Sequence, residues 1–168
     1  RYGSWNMQSV KFSRGATLPA WSYLWIRLQG SRDIAADLTG LQPFITRFTR
    51  ILTASGINAG APIPGVPITL SGGAGYEAAI DNVFKAMTNH RAKPLLMLVI
   101  LPRNDKDIYN RVKFMGDIRT GIHTICVVGS KFAKESRDDN AQYLANVALK
   151  FNLKLGGANQ TLNGARLG

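Results

Sequence analysis

The sequence predicts a three-layer α/β domain whose mostly parallel sheet of about four strands is flanked by helices. Apolar runs suited to buried strands alternate along the chain with segments that repeat apolar residues every three or four positions, as amphipathic helices do. The 168 residues are 45% apolar, enough for one well-buried core. No repeat, low-complexity tract or domain-sized change of composition divides them. A single domain over 1–168 is therefore expected.

The predicted strands are short apolar stretches. Residues 21–28, WSYLWIRL, combine aromatic and aliphatic side chains. Residues 95–101 are a continuous apolar run between Pro94 and Pro102, which is typical of a parallel strand buried on both faces. The complete set of predicted strands covers residues 21–28, 67–70, 95–101 and 124–128.

Four amphipathic helices are predicted, the first over 38–54 and the second over 76–90. The third is expected to be capped by Asp105 or Asp107 and to run to about Arg119. The fourth is expected to follow an N-cap cluster at 138–140 and to end at Gly156 and Gly157.

Net charge and single residue types limit the partners and cofactors. Lys and Arg outnumber Asp and Glu by 21 to 10, a formal charge of +11, which favours nucleic acid or an acidic membrane surface as partner; an inert basic surface is the alternative. Cys126 is the one cysteine, so no disulfide framework forms and a reducing compartment fits. His90 and His123 lack ligand spacing, so no metal site is predicted, and no cofactor is expected. The longest apolar run is far too short to span a membrane.

Two pairs of residues with helical spacing form a candidate anion site. Tyr109 and Lys113 share one helix face just beyond the carboxyl end of a predicted strand, and Lys150 and Lys154 share a face of the last helix. Taken separately, each pair also fits an ordinary solvated helix surface. Together, an aromatic ring and three ammonium groups suit a terminal nucleotide, which needs a stacking surface and charge-assisted hydrogen bonds to its phosphate.

A glycine-rich segment, SGGAG at 71–75, offers a different candidate site before the second helix. Glycines allow backbone N–H groups to approach a phosphate, but the third glycine of the dinucleotide fingerprint and the Lys-Ser/Thr of a P-loop are both missing. An ordinary strand-to-helix turn is the alternative. Ser130 is not in a nucleophile elbow, and the acidic residues suit helix capping, so no catalytic site is predicted.

A series of short motifs runs through the second half of the chain. In order, they are VILP at 99–102, Tyr109-x-x-x-Lys113, Met115-Gly116-Asp117, Gly121, Thr124-x-Cys126-Val127 and NVALKFNLKLGG at 146–157. This series resembles the MID domain of a eukaryotic Argonaute, and the divergent N-terminal half resembles a fungal, quelling-type member. The resemblance covers most of the chain, from Trp5-Asn6-Met7 onward, and is strongest over 95–159.

The resemblance implies a Rossmann-like fold and a pocket that anchors the 5′ end of a guide RNA. Tyr109 would stack on the first base, and Tyr109, Lys113, Lys150, Lys154 and the Cys126 backbone would hold the 5′-phosphate, with Thr124 as a further contact. A base-reading loop would comprise Arg103, Asn104, Asp105, Lys106, Asp107 and Ile108. Ile125 stands where many relatives place a phosphate-contacting Gln, and the loop is one residue longer than its usual animal counterpart.

The resemblance also implies partners and a place in the cell. The implied partners are a single-stranded guide RNA with a 5′-phosphate, the PIWI domain of the same parent protein and other silencing proteins. No membrane partner is expected. In Argonautes the acidic residues that cleave RNA belong to the PIWI domain, so this chain is expected to bind RNA and not to cleave it. Its expected location is the cytoplasm. Because the chain begins at Arg1 without Met, it is expected to be a piece of a larger protein, with 1–20 as a lead-in and about 157–168 as the start of a connection to PIWI. A nucleotide-dependent α/β enzyme or a protein-interaction domain are the alternatives.

Overall fold

Four parallel strands form one sheet in the part of the chain that the computed structural model describes, residues 20–134 and 137–162. The strand order is β2-β1-β3-β4, so β4 lies at one edge of the sheet. The strands are β1 (Trp21–Leu28), β2 (Val66–Leu70), β3 (Leu96–Leu101) and β4 (His123–Val128). The helices are α1 (Leu38–Ala54), α2 (Tyr76–Thr88), α3 (Lys106–Lys113), α4 (Gly129–Phe132) and α5 (Arg137–Leu162), with a π-helix, π1, over Phe114–Thr120.

The predicted α/β fold is confirmed, because helices cover both faces of the sheet. One core lies under α1, α4 and α5, where the rings of Trp21, Phe48 and Phe151 meet edge to face at centroid distances between 5.2 and 6.3 Å. The other core lies under α2, α3 and π1 and includes Phe84 and Val112. Every residue of β3 is buried, as its unbroken apolar sequence predicts for a central parallel strand.

The parallel arrangement brings the carboxyl ends of all four strands to one edge of the sheet. The segment after Leu101 and the turn after Val128 therefore lie at the same edge. Asp105 caps α3 by accepting a hydrogen bond from the Ile108 N–H at 3.1 Å. That cap determines where α3 begins and hence which of its residues face strand β4.

Two predictions about the last helix are wrong. Helix α5 already begins at Arg137, so the predicted N-cap cluster at 138–140 lies inside its first turn. The Asn140 side chain does not cap the helix but donates to the Lys131 carbonyl oxygen of α4 at 2.8 Å. The helix also continues through Gly156 and Gly157 to Leu162. A glycine inside a helix costs only about 1 kcal/mol relative to alanine, so two glycines without a following proline do not stop it.

The third predicted helix is divided in two. Regular α-helix ends at Lys113 and the wider π1 continues to Thr120, whose hydroxyl donates to the Met115 carbonyl oxygen at 2.7 Å. The short helix α4 was not predicted, since four residues are too few to show a helical period. Residues 1–19 of the lead-in expected over 1–20, and residues 163–168 of the expected connection, lie outside the described residues.

Helix π1 packs against β4 through Gly116. A Cβ atom at this position would lie 2.3 Å from Thr124 Cγ2 and 2.9 Å from the Ile122 carbonyl oxygen. Neither distance is compatible with a real Cβ contact, so only glycine permits this approach. Gly116 thereby determines how closely the helix holds Thr124, a residue of the candidate site.

We expect Gly116→Ala to lower the free energy of unfolding by about 1–3 kcal/mol, because the added methyl group must displace either π1 or β4. Chemical denaturation followed by circular dichroism measures the change. Gly73→Ala is the matched control, since nothing lies within 4 Å of a Cβ atom there and its φ is not positive. Equal stabilities of the two variants would contradict the close packing described for Gly116.

Candidate functional site

A cavity of about 350 Å³ lies where α3, β4 and α5 meet. It contains both pairs of residues that the sequence singled out, although 37 positions separate Lys113 from Lys150 in the chain. Its lining residues are Tyr109, Lys113, Thr124, Ile125, Cys126, Lys150, Leu153 and Lys154. The cavity therefore brings one aromatic ring and three ammonium groups together.

Helix α3 contributes Tyr109 and Lys113, which face the cavity because they are one helical turn apart. Tyr109 is 41% exposed, so its ring is available to a ligand. The Lys113 Nζ lies 5.7 Å from the centre of that ring and donates to the Thr124 carbonyl oxygen at 2.7 Å. This hydrogen bond holds the ammonium group against the edge of the sheet.

Strand β4 contributes its backbone, because no further strand in the described part of the chain pairs with its outer edge. The His123 N–H donates to the Leu95 carbonyl oxygen at 2.9 Å, which directs the backbone groups of His123, Ile125 and Val127 toward β3. The backbone groups of the alternate residues point outward. Among them is Cys126, whose N–H consequently faces the side of the strand that borders the cavity.

Side chains satisfy the outward backbone groups on either side of Cys126. The Thr124 N–H donates to Asp117 Oδ1 at 3.2 Å, and the Thr124 hydroxyl donates to the same oxygen at 3.3 Å. At the other end, the Val128 N–H donates to the Tyr143 hydroxyl at 3.1 Å. The outward N–H of Cys126 lies between these two supported positions.

Helix α5 contributes Lys150, Leu153 and Lys154 from the side opposite α3. Lys150 is exposed and Lys154 is half-buried. The next residue of the helix, Phe151, is fully buried against Trp21, which fixes the rotation of α5 and turns the two lysines toward β4. Leu153 is 50% exposed and adds an apolar surface between them.

Burial dominates the chemistry of the Cys126 thiol. It raises the pKa of Cys126 to about 12, while the positive charges of Lys113 and Lys154 act in the opposite direction and the negative charge of Asp117 adds to the rise. The thiol is therefore neutral at physiological pH and is not a reactive thiolate. The charges of Lys113, Lys154 and Asp117 all influence this position, in agreement with the cavity that Lys113, Cys126 and Lys154 share.

Thr124, a predicted phosphate contact, and Ile125, which was expected to replace a phosphate-contacting Gln without its donor, both have a local role in the structure. The Thr124 hydroxyl is already bonded to Asp117, and Thr124 is fully buried. The Ile125 side chain is 4% exposed and belongs to the core under α1 and α5, so it adds no hydrogen-bond donor to the cavity. The polar part of this wall is consequently the backbone of β4.

The predicted base-reading loop borders a different cavity, of about 200 Å³, on the other side of α3. Arg103, Asp105, Asp107 and Ile108 line it, whereas the exposed Asn104 and Lys106 line neither cavity. The remaining lining residues of this second cavity are Leu28, Leu70, Gly72, Gly73 and Tyr76. The structure thus separates the loop side chains from the cavity that contains Tyr109.

The glycine-rich segment opens onto this second cavity, where the charges do not favour an anion. Gly75 precedes α2 with φ +96°, and no side chain caps the helix there. Burial is the first cause that raises the pKa of Tyr76; the carboxylates of Glu77, Asp107 and Asp105 add to the rise, and Arg111 acts in the opposite direction. Asp105 and Asp107 line the cavity, and the lining cation Arg103 is already paired with Asp105. Phosphate would meet these carboxylates, so the first cavity is the better anion site.

Sequence analysis missed three residues of the first cavity and its borders. Asp117 follows Lys113 by four positions, so its place on the same helix face was a usable signal. Leu153 and Tyr143 gave no such signal, because their roles depend on how α5 packs on the sheet. Among the described residues, no group of three or more His, Cys, Asp or Glu side chains is placed to hold a metal ion. None of the described helices is long and apolar enough to cross a membrane.

Comparisons with known proteins identify relatives over nearly the whole chain. Residues 96–167 match the family model described as the Piwi domain. Protein argonaute 10 of Arabidopsis thaliana is 30% identical over 162 residues, which are 95% of this chain and 15% of that protein. The chain spans about 15% of the length of the curated relatives it matches.

Two solved structures agree with these matches. The Kluyveromyces polysporus Argonaute with a guide RNA superposes with a TM-score of 0.65 over 83% of this chain and 16% of that one, at 23% identity, which supports the fold alone. The MID domain of the N. crassa QDE-2 Argonaute superposes with a TM-score of 0.62 and 35% identity, covering 82% of this chain and 98% of that domain. The chain therefore belongs to the Argonaute family, in which it corresponds to the MID domain.

Proposed function

We propose that this domain binds the 5′-phosphorylated end of a single-stranded guide RNA in RNA silencing. The observation that carries the proposal is the single cavity that contains Tyr109, Lys113, Lys150 and Lys154. The 35% identity of this chain to the MID domain of the N. crassa QDE-2 Argonaute supports this class of ligand. Bound in this way, the first nucleotide would anchor the rest of the strand.

The charges of the cavity suit a terminal phosphate. A phosphomonoester carries between about −1.5 and −2 charges at pH 7 and has three strong acceptor oxygens. Lys113, Lys150 and Lys154 repel one another in the empty cavity, and a bound dianion removes that repulsion. The outward N–H of Cys126 adds a neutral donor on the β4 side. A 5′-hydroxyl offers no comparable compensation.

The Tyr109 ring is assigned to the first base. It is 41% exposed at the mouth of the cavity, and Lys113 lies near its face, so a base that stacks on the ring would have its phosphate close to the ammonium group. Stacking of this kind contributes about 1–3 kcal/mol per base. The loop over 103–108 is proposed to read the base edge from outside this cavity, because it directly precedes Tyr109 in the chain although four of its side chains border the second cavity.

The proposed role is binding without catalysis. The cavity combines lysines with a neutral Cys126 thiol and contains no carboxylate pair or activated nucleophile among its described lining residues. A PIWI domain of the same parent protein is the proposed partner, because this chain corresponds to the MID domain of the Argonaute family, and a cytoplasmic location is proposed with that role. The acidic character of the second cavity argues against the nucleotide-dependent enzyme as the alternative.

The phosphate contribution is tested by comparing two RNA oligonucleotides that differ only in a 5′-phosphate or a 5′-hydroxyl. We expect the wild-type domain to bind the phosphorylated form more tightly, measured by fluorescence anisotropy. Lys150→Ala should abolish most of this difference, because it removes one of three clustered ammonium groups. Lys85→Ala, an exposed lysine of α2 outside the cavity, is the matched control and should retain the preference. Equal affinities of the wild-type domain for both RNAs would contradict the proposal.

The role of the ring is tested by Tyr109→Ala and Tyr109→Phe. We expect the alanine variant to bind phosphorylated RNA about tenfold more weakly, a loss of about 1.4 kcal/mol, because stacking on the first base is lost. The phenylalanine variant should stay near the wild-type affinity. Calorimetric titration with inorganic phosphate is expected to give similar affinities for all three proteins. A comparable loss of phosphate affinity in the alanine variant would show that Tyr109 does not act through the base.

A further inference from the structure

Asp117 is the one carboxylate that the structure places next to a lysine of the cavity, within the described residues. Its Oδ2 lies 3.9 Å from the Lys113 Nζ, and both side chains are partly exposed. Its Oδ1 accepts hydrogen bonds from the N–H and the hydroxyl of Thr124. Asp117 therefore has two separable functions, since one oxygen supports β4 and the other faces Lys113.

The charge of Asp117 extends into the cavity. It acts on the half-buried Cys126, where its negative field opposes the positive fields of Lys113 and Lys154. An anion that binds beside these lysines would experience the same negative field. Repulsion between like charges then weakens binding, whereas the hydrogen bonds from Thr124 require an acceptor oxygen but not a negative charge.

We propose that Asp117 is an internal competitor for Lys113 that lowers the affinity of the cavity for a terminal phosphate. In the empty domain its carboxylate partly neutralises the Lys113 ammonium group. On binding, the phosphate must share that ammonium group with the carboxylate and overcome its repulsion. Asp117 thus limits how tightly the 5′ end is held, so that its negative charge favours release. This inference rests on the proposed function of the cavity.

The test is Asp117→Asn, which removes the charge but keeps a carbonyl oxygen for Thr124. We expect phosphorylated RNA to bind about fivefold more tightly, the equivalent of about 1 kcal/mol, the upper range for a partly exposed charge pair. The gain should shrink in high salt, because screening weakens the original repulsion. Fluorescence anisotropy at low and high salt measures both effects.

The matched control is Asp37→Asn, which changes net charge by the same amount at an exposed site. Asp37 caps α1 by accepting from the Gly40 N–H at 2.9 Å, and asparagine caps equally well, so this variant should bind as the wild type does. Asp117→Ser, a second neutral variant with a shorter acceptor, guards against a folding defect in the first. A folding defect would lower the affinity for RNA, so it cannot account for an increase in affinity.

The outcomes separate the two proposals. If the wild type prefers the 5′-phosphate but neither folded Asp117 variant binds it more tightly than Asp37→Asn does, the competitor role is wrong and the phosphate site stands. A weaker affinity in a folded Asp117 variant would likewise overturn it, by showing that the charge positions Lys113. If the wild type does not prefer the 5′-phosphate at all, the proposed function itself fails.

Discussion

The outer edge of β4 is the constraint on which the candidate site depends. A strand at the end of a sheet has outward backbone groups that need partners, and no strand supplies them on this side within the described residues. Three side chains from the surrounding helices take that place: Lys113 and Asp117 at Thr124, and Tyr143 at Val128. The same helices therefore close the sheet edge and enclose the cavity around Cys126, so that fold stability and ligand geometry share the same contacts.

The second half of the cavity depends on aromatic packing across the sheet. Phe151 is fully buried and meets the rings of Trp21 and Phe48 edge to face. Since a helix turns by 100° per residue, fixing Phe151 also fixes the directions of Lys150 and Lys154. The hydrophobic contacts of Phe151, which lies between the two lysines in the chain, therefore determine where the lysines point. In this orientation the exposed face of the helix forms one wall of the cavity.

Helix α3 separates two cavities of opposite character. On one side, Tyr109 and Lys113 face the cationic cavity, where Asp117 is the opposing charge. On the other side, Asp105 and Asp107 border the second cavity beside the glycine-rich segment. This division explains why the glycine-rich turn, although its geometry suits a phosphate, lies in an unfavourable field. Residues close in sequence thus contribute to sites with different ligand preferences.

The sequence by itself determined the fold class and most element positions. Burial of a strand on both faces produces a continuous apolar run, and the 3.6-residue helical period produces a repeat of apolar residues, so both can be recognised in the sequence. Strand Trp21–Leu28 and helix Leu38–Ala54 match their predicted bounds. It failed where local signals were weak or misleading, at the glycines that do not end α5 and at the π-helical turn over Phe114–Thr120. The tertiary structure alone decided which side of β4 faces the lysines, that Asp117 and Tyr143 support that edge, and that the 103–108 loop borders another cavity. These outcomes depend on strand order and helix rotation, which are set by packing between distant segments and leave no local pattern in the chain.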